Sequence, residues 1–139
     1  DTITDIERSS FHPSSSMLHM SSLHKELYPK SKNITTERIA LRRLDSFQGE
    51  LALTPDVLIK MDVQGFEDRV IAGGPETFKR TKVVIVETSF VPLYENQPLF
   101  ADIHNALHAL GFDYRGNCGE HFSPRTGEHI YEDSVFIRD

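Results

Sequence analysis

Three acidic side chains stand where an α/β chain could put them to chemical use. Asp62 follows the run Ile59-Lys60-Met61, Glu87 follows Val83-Val84-Ile85-Val86, and Glu67 falls in the first turn of the helix expected between them. Both apolar runs read as strands covered on both faces, because their hydrophobic residues continue without clean alternation. In an open sheet of such strands, ligands lie beyond the carboxyl ends, where loops converge and helix N-termini aim free amides inward. Neighbouring strands would then present Asp62 and Glu87 at one rim, with Glu67 facing the same cleft. Plainer roles stand beside this one. Glu67 could simply complement the helix dipole, a contribution under about 1 kcal/mol at an exposed position. Glu87 could bond loop amides and hold the turn toward Val91-Pro92. Asp62 is harder to explain by packing, since an acid directly after a buried strand and two residues before Gln64-Gly65 serves no core, and it leads the candidates.

Other chemistries find less support. No HxxxH or HxH spacing among the seven histidines is backed by nearby acids, so no metal site is expected, and His121 and His129 read as solvated loop residues. Cys118 is the single cysteine and has no base beside it. It cannot form an intrachain disulfide, which fits a reducing, cytoplasmic setting. Asn33-Ile34-Thr35 matches a glycosylation sequon, but nothing else points to secretion. No GxGxxG turn follows any strand, and Gly116-Asn117-Cys118-Gly119 is only a weak imitation.

The elements that must position the acids follow from periodicity. With 139 residues and 38% hydrophobic content the chain suits one domain with one core. Fifteen basic against 21 acidic residues give a net charge of −6, which disfavours nucleic acid as a partner. No stretch reads as a signal peptide or membrane span. Residues 1–35, with Pro13, Pro29 and Ser14-Ser15-Ser16, read as an irregular arm, and 36–139 as the α/β core. Thr36 to Leu44 alternates as an edge strand would. A helix from about Phe66 places Phe66, Val70 and Ile71 on one face and ends or kinks at Gly73-Gly74, before Pro75 opens a further turn. Leu99, Ile103, Leu107 and Leu110 define a second helix that Gly111 caps. Phe112 to Arg115 and Ser134 to Ile137 read as two more strands joined by a long polar loop.

One ordered set of these segments resembles a known family. Val57 through Glu67 resembles the signature of FkbM-type methyltransferases. Val70 to Gly74, Val84 to Glu87, Leu93 to Phe100, Leu107 to Phe112 and Asp133 to Arg138 follow in the family's order, and Ser14 to Leu18 and Leu44-Asp45 are similar to its earlier elements. The resemblance implies the C-terminal portion of a Rossmann-like class I methyltransferase fold, a three-layer sandwich lacking its first strands and Gly-rich turn. It further implies S-adenosylmethionine as methyl donor and a small-molecule or sugar oxygen as acceptor. By the same resemblance Asp62 lies beside the methyl-transfer cleft, Asp62, Val63 and Gln64 meet the cofactor, and Glu67 and Glu87 support catalysis. Gln64 stands where the family more often has Glu. The absent strands would leave an apolar edge, so a homo-oligomer is expected. Two other classes compete: a non-catalytic α/β interaction module, and a metal-dependent hydrolase using Asp62, Glu87 and a histidine.

Overall fold

A computed structural model describes residues 2–9 and 15–139. Pro13 and Ser14, which the sequence marks as breaks in periodicity, lie outside the described residues. In chain order the elements are β1 (Thr2–Ser9), β2 (Ser15–Ser16), α1 (Ser22–Leu27), β3 (Ile34–Leu41), α2 (Gln48–Leu51), β4 (Val57–Met61), α3 (Glu67–Gly73), α4 (Pro75–Lys79), β5 (Thr81–Ser89), α5 (Phe100–Ala109), β6 (Asp113–Phe122) and β7 (His129–Ile137). Short 3-10 turns at Pro29–Lys32 and Leu44–Phe47 join them.

Two sheets result. The main one runs β4-β5-β7-β6, with β5 parallel to β4 and antiparallel to β7. The expected strand–helix–strand unit is therefore present as β4-α3-α4-β5, and its two strands sit side by side. Helices α3, α4 and α5 gather on one face, where Phe78, Val84, Val86, Leu107, Phe112 and Phe136 have no solvent exposure. Each phenyl ring there contributes roughly 2–3 kcal/mol by leaving water. Phe78 meets Phe112 edge to face, with centroids 6.3 Å apart. Pro75 opens α4 and the Asp45 carboxylate caps it, accepting from the amides of Glu76 (3.0 Å) and Thr77 (2.8 Å) and from the Thr77 hydroxyl (2.8 Å). Burial pushes the Asp45 carboxyl up, but these hydrogen bonds together outweigh it and hold the group below its ordinary value.

Four expectations need correction. The irregular arm holds a regular strand: β1 pairs antiparallel with β3 along its whole length, from Thr2 opposite Leu41 to Ser9 opposite Ile34. β3 falls on the stretch whose alternation marks an edge strand, beginning earlier at Ile34 and ending at Leu41, whereas β1 has little buried surface on either side and leaves no clean period-2 signal. The arm also supplies core, since Met20 and His24 are buried against Tyr94. Second, the final hairpin is longer than read: β6 and β7 extend to Phe122 and His129, and only Ser123–Glu128 lies between them. Register shifts in β6, near Gly116 at φ 110°, interrupt the alternation that would have marked it. Third, β4 is not covered on both faces, because Leu58 is 56% exposed. Fourth, three layers are not seen among the described residues. Helices α3, α4 and α5 cover one face of the main sheet, while Val83, Ile85 and Val135 on the other stay half-exposed.

Candidate functional site

The uncovered face ends in charge. Pairing aligns Lys60 with Ile85 and Val135, and two residues further on Glu87 faces Asp133 across the β5–β7 ladder. Asp62 leaves the end of β4 beside them. The turn that carries it onward is held from three sides. Gln64 sits at φ 54° and Gly65 at φ 95°, a left-handed pair that redirects the chain into α3. A Cβ on Gly65 would stand 3.0 Å from Leu18 Cδ1. The buried Ser16 hydroxyl donates to the Gln64 carbonyl at 2.7 Å, which ties β2 to the turn.

Glu67 does not reach the cleft. It is 2% exposed, and its Oε1 accepts from the amides of Val63 and Gly65, each at 3.2 Å. Burial raises its pKa, the backbone amides oppose that, and the Asp62 charge adds to the rise. Its observed contacts are those of a residue that shapes the turn. Val63 contributes its amide to this bond, and its side chain lines a groove of about 540 Å³ between α3 and the β1–β3 ribbon.

Gln64 is the hub of the site. Its Nε2 donates to Asp62 Oδ1 at 2.5 Å and to Glu87 Oε1 at 3.3 Å, while its Oε1 accepts from the Tyr94 hydroxyl at 2.6 Å. Only this orientation of the amide satisfies two carboxylate acceptors and one hydroxyl donor together. A glutamate here would bring a third carboxylate onto the same pair, whereas the amide joins them. Gln97 braces the far side, donating to Ser89 Oγ at 2.9 Å and accepting from the amides of Leu93 and Tyr94.

Electrostatics set Glu87 apart. Burial, then the charges of Asp62, Glu67 and Asp133, push its carboxyl up to about 8, and Lys60 opposes them only in part. The Lys60 ammonium lies 3.5 Å from Asp133 and 4.0 Å from Asp62 and is half-exposed. Tyr131 and Tyr28 flank the acids, and burial raises both phenols, with the Glu87 charge adding to each rise. Of the sequence candidates, the structure thus brings Asp62, Gln64 and Glu87 together and turns Glu67 and the Val63 amide toward each other. Sequence reasoning missed Tyr94, Lys60, Asp133, Tyr28 and Tyr131. Tyr94 is signalled only by its place in the Leu93–Phe100 segment, Lys60, Asp133 and Tyr131 depend on strand register, and Tyr28 depends on how the α1 segment packs onto the sheet.

A parallel strand pair, a helix layer and an acid-rich rim at the strand ends describe an α/β protein whose rim is a candidate ligand site. The model of the FkbM methyltransferase domain matches residues 2–114, and the chain belongs to that family. A stretch of 59 residues is 48% identical to the 2-O-methyltransferase NoeI of Sinorhizobium fredii (strain NBRC 101917 / NGR234), covering 42% of this chain and 24% of that protein. The chain thus matches about a quarter of that relative's length. No solved structure matches the chain. Among the described residues, no helix is long and apolar enough to cross a membrane.

Proposed function

We propose that the chain is the acceptor side of an S-adenosylmethionine-dependent O-methyltransferase with the class I fold, acting on a hydroxyl of a small molecule or sugar. The observation that carries this reading is the carboxyl pair Asp62 and Glu87, joined by the Gln64 amide at the ends of β4 and β5. Family membership and the identity to a 2-O-methyltransferase support it.

When bound, S-adenosylmethionine supplies a methyl group on a positively charged sulfonium. The residues present suit that charge: Asp62 brings anionic oxygens to the rim, Glu87 adds a second carboxyl beside it, and the Gln64 amide bonds both. Asp62, Val63 and Gln64 would meet the cofactor. Glu87 is the general base, taking the acceptor hydroxyl's proton onto its carboxylate as the oxygen gains the methyl group. With a pKa of about 8, roughly one Glu87 in ten is ionised at pH 7, so turnover rises with pH until that group is ionised. Glu67 acts through the turn it holds and is a positioning residue.

The rest of the sheet supports a role within a larger assembly. β4 is an edge with Leu58 exposed, and the face bearing the acids lacks a helical cover along Val83, Ile85 and Val135. Further strands and a Gly-rich turn from a longer parent protein would pair with β4 and complete the cofactor cradle. In the chain by itself the same edge favours self-association. A non-catalytic interaction module would share the open face but gives no reason for two carboxylates to converge on one amide. The test is methyl transfer by the parent protein across pH 6–9. The reading expects activity to rise toward a plateau above about pH 8 and Glu87→Gln to flatten that rise, whereas an unchanged profile in the variant removes Glu87 as the base.

A further inference from the structure

A second acidic cluster lies away from this rim, on the hairpin of β6 and β7. Glu120 and Glu132 stand directly opposite each other across the ladder. Two like charges in that position repel, which normally selects against the pairing. Glu132 is 3% exposed, so its charge is not relieved by water. Its Oε1 is satisfied by the hydroxyls of Tyr114 (2.9 Å) and Ser134 (2.7 Å). Its Oε2 and Glu120 Oε1 share one amide, Asn117 Nδ2, at 3.1 and 3.2 Å. One neutral donor thus serves two facing carboxylates.

The third member is a histidine with an orphaned nitrogen. His129 Nε2 is buried and has no hydrogen-bond partner among the described residues, and Glu132 Oε2 lies 3.9 Å away, too far for a hydrogen bond. A buried polar atom in this state is costly unless something satisfies it. Aromatic neighbours hold the ring: Phe122 stacks on it with centroids 4.7 Å apart, and Phe90 lies tilted against it at 4.4 Å. One ligand atom from each of Glu120, His129 and Glu132 lies within 4.8 Å of the others. A metal bonding each at about 2.0–2.2 Å tolerates ligand separations up to roughly 4 Å, so a small swing of the exposed Glu120 closes the set.

We propose that Glu120, His129 and Glu132 form a binding site for a divalent transition-metal cation of the Zn²⁺ type. The ion cancels the cross-strand repulsion, satisfies the His129 nitrogen and pins β6 to β7 beside the turn that joins them. One imidazole with two carboxylates suits Zn²⁺ or Mn²⁺ better than Mg²⁺, which takes oxygen donors. The site is independent of the methyltransferase reading and would stand if that reading failed.

The experiment is calorimetric titration of the whole chain with ZnCl₂. One saturable site per chain is expected, weakened at least tenfold by Glu120→Gln and by His129→Gln. Glu120 is exposed, so its variant retains the fold, with circular dichroism as the check, and decides the matter if His129→Gln does not fold. A double variant, His104→Gln with His108→Gln, removes the helical pair of histidines whose rings stack 5.9 Å apart on α5 and should leave the affinity unchanged. Absence of saturable binding, binding that survives Glu120→Gln, or binding lost only with His104 and His108 overturns the proposal.

Discussion

Replacing Glu87 with Gln tests whether the rim stores the electrostatic tension described. In the folded protein this carboxyl is moved from its ordinary 4.5 to about 8, by burial first and by Asp62, Glu67 and Asp133 after it. The folded state therefore keeps the proton between those values while the unfolded chain has lost it. Stability from this group is complete below pH 4.5 and is lost as pH rises to about 8. A displacement of that size corresponds to roughly 5 kcal/mol, and water at the partly open rim reduces it to roughly 2–4 kcal/mol. The amide introduced by Glu87→Gln is neutral throughout, and its carbonyl still accepts from Gln64 Nε2, so the variant escapes the alkaline loss. Each kcal/mol moves Tm by about 3–5 °C for a domain of this size. Thermal unfolding should show equal Tm values near pH 5 and a variant more stable by roughly 6–20 °C at pH 9. A shallower decline persists in the variant, because the Glu67 carboxyl is also raised. If the two Tm curves run parallel from pH 5 to 9, Glu87 ionises at an ordinary value and its role as a base near pH 8 falls with it.

Other perturbations follow from the same geometry. Gly65→Ala forces a side chain onto φ 95° and against Leu18 Cδ1, and urea unfolding should show a loss of about 1–3 kcal/mol. Asp45→Ala removes the acceptor for the first amides of α4 and should cost about 1–2 kcal/mol at pH 7. Because the Asp45 carboxyl is held below 3.8, that difference is present above this pH and fades as pH falls below it, which acid titrations of both proteins would show. If the exposed β4 edge drives self-association as proposed, light scattering should show the unaltered chain associated and Leu58→Lys, which puts a charge on that strand, shifted toward monomer. A monodisperse native monomer would contradict the assembly proposed for that edge.

The parts of this molecule that are legible in its sequence are those whose pattern is local. Val83 to Val86 announces β5, the Leu99-Ile103-Leu107 spacing announces α5, and Gly111, at φ 86°, stands where its cap is expected. Asp62 and Glu87 can be located because each terminates an apolar run. What stays hidden depends on pairing. Strand β1 buries too little to leave a period, and the shifts in β6 break the alternation of a strand that otherwise reads as a loop. His129 reads as solvated because nothing local reveals that Phe90 and Phe122 pack against it. Gln64 looks like a loss of chemistry, since the family more often carries Glu there. Its three bonds, to Asp62, Glu87 and Tyr94, show instead a joint between carboxylates that come from different strands.

The central claim is tested most directly by calorimetric titration with S-adenosylhomocysteine, comparing this chain with a longer parent chain that carries an upstream Gly-rich strand, turn and helix. The account predicts saturable one-to-one binding by the longer chain, weakened by Asp62→Asn, and none by the short one. Binding by the short chain would show that the cofactor site is complete within it, and absence of binding by the longer chain would contradict the assignment of S-adenosylmethionine altogether.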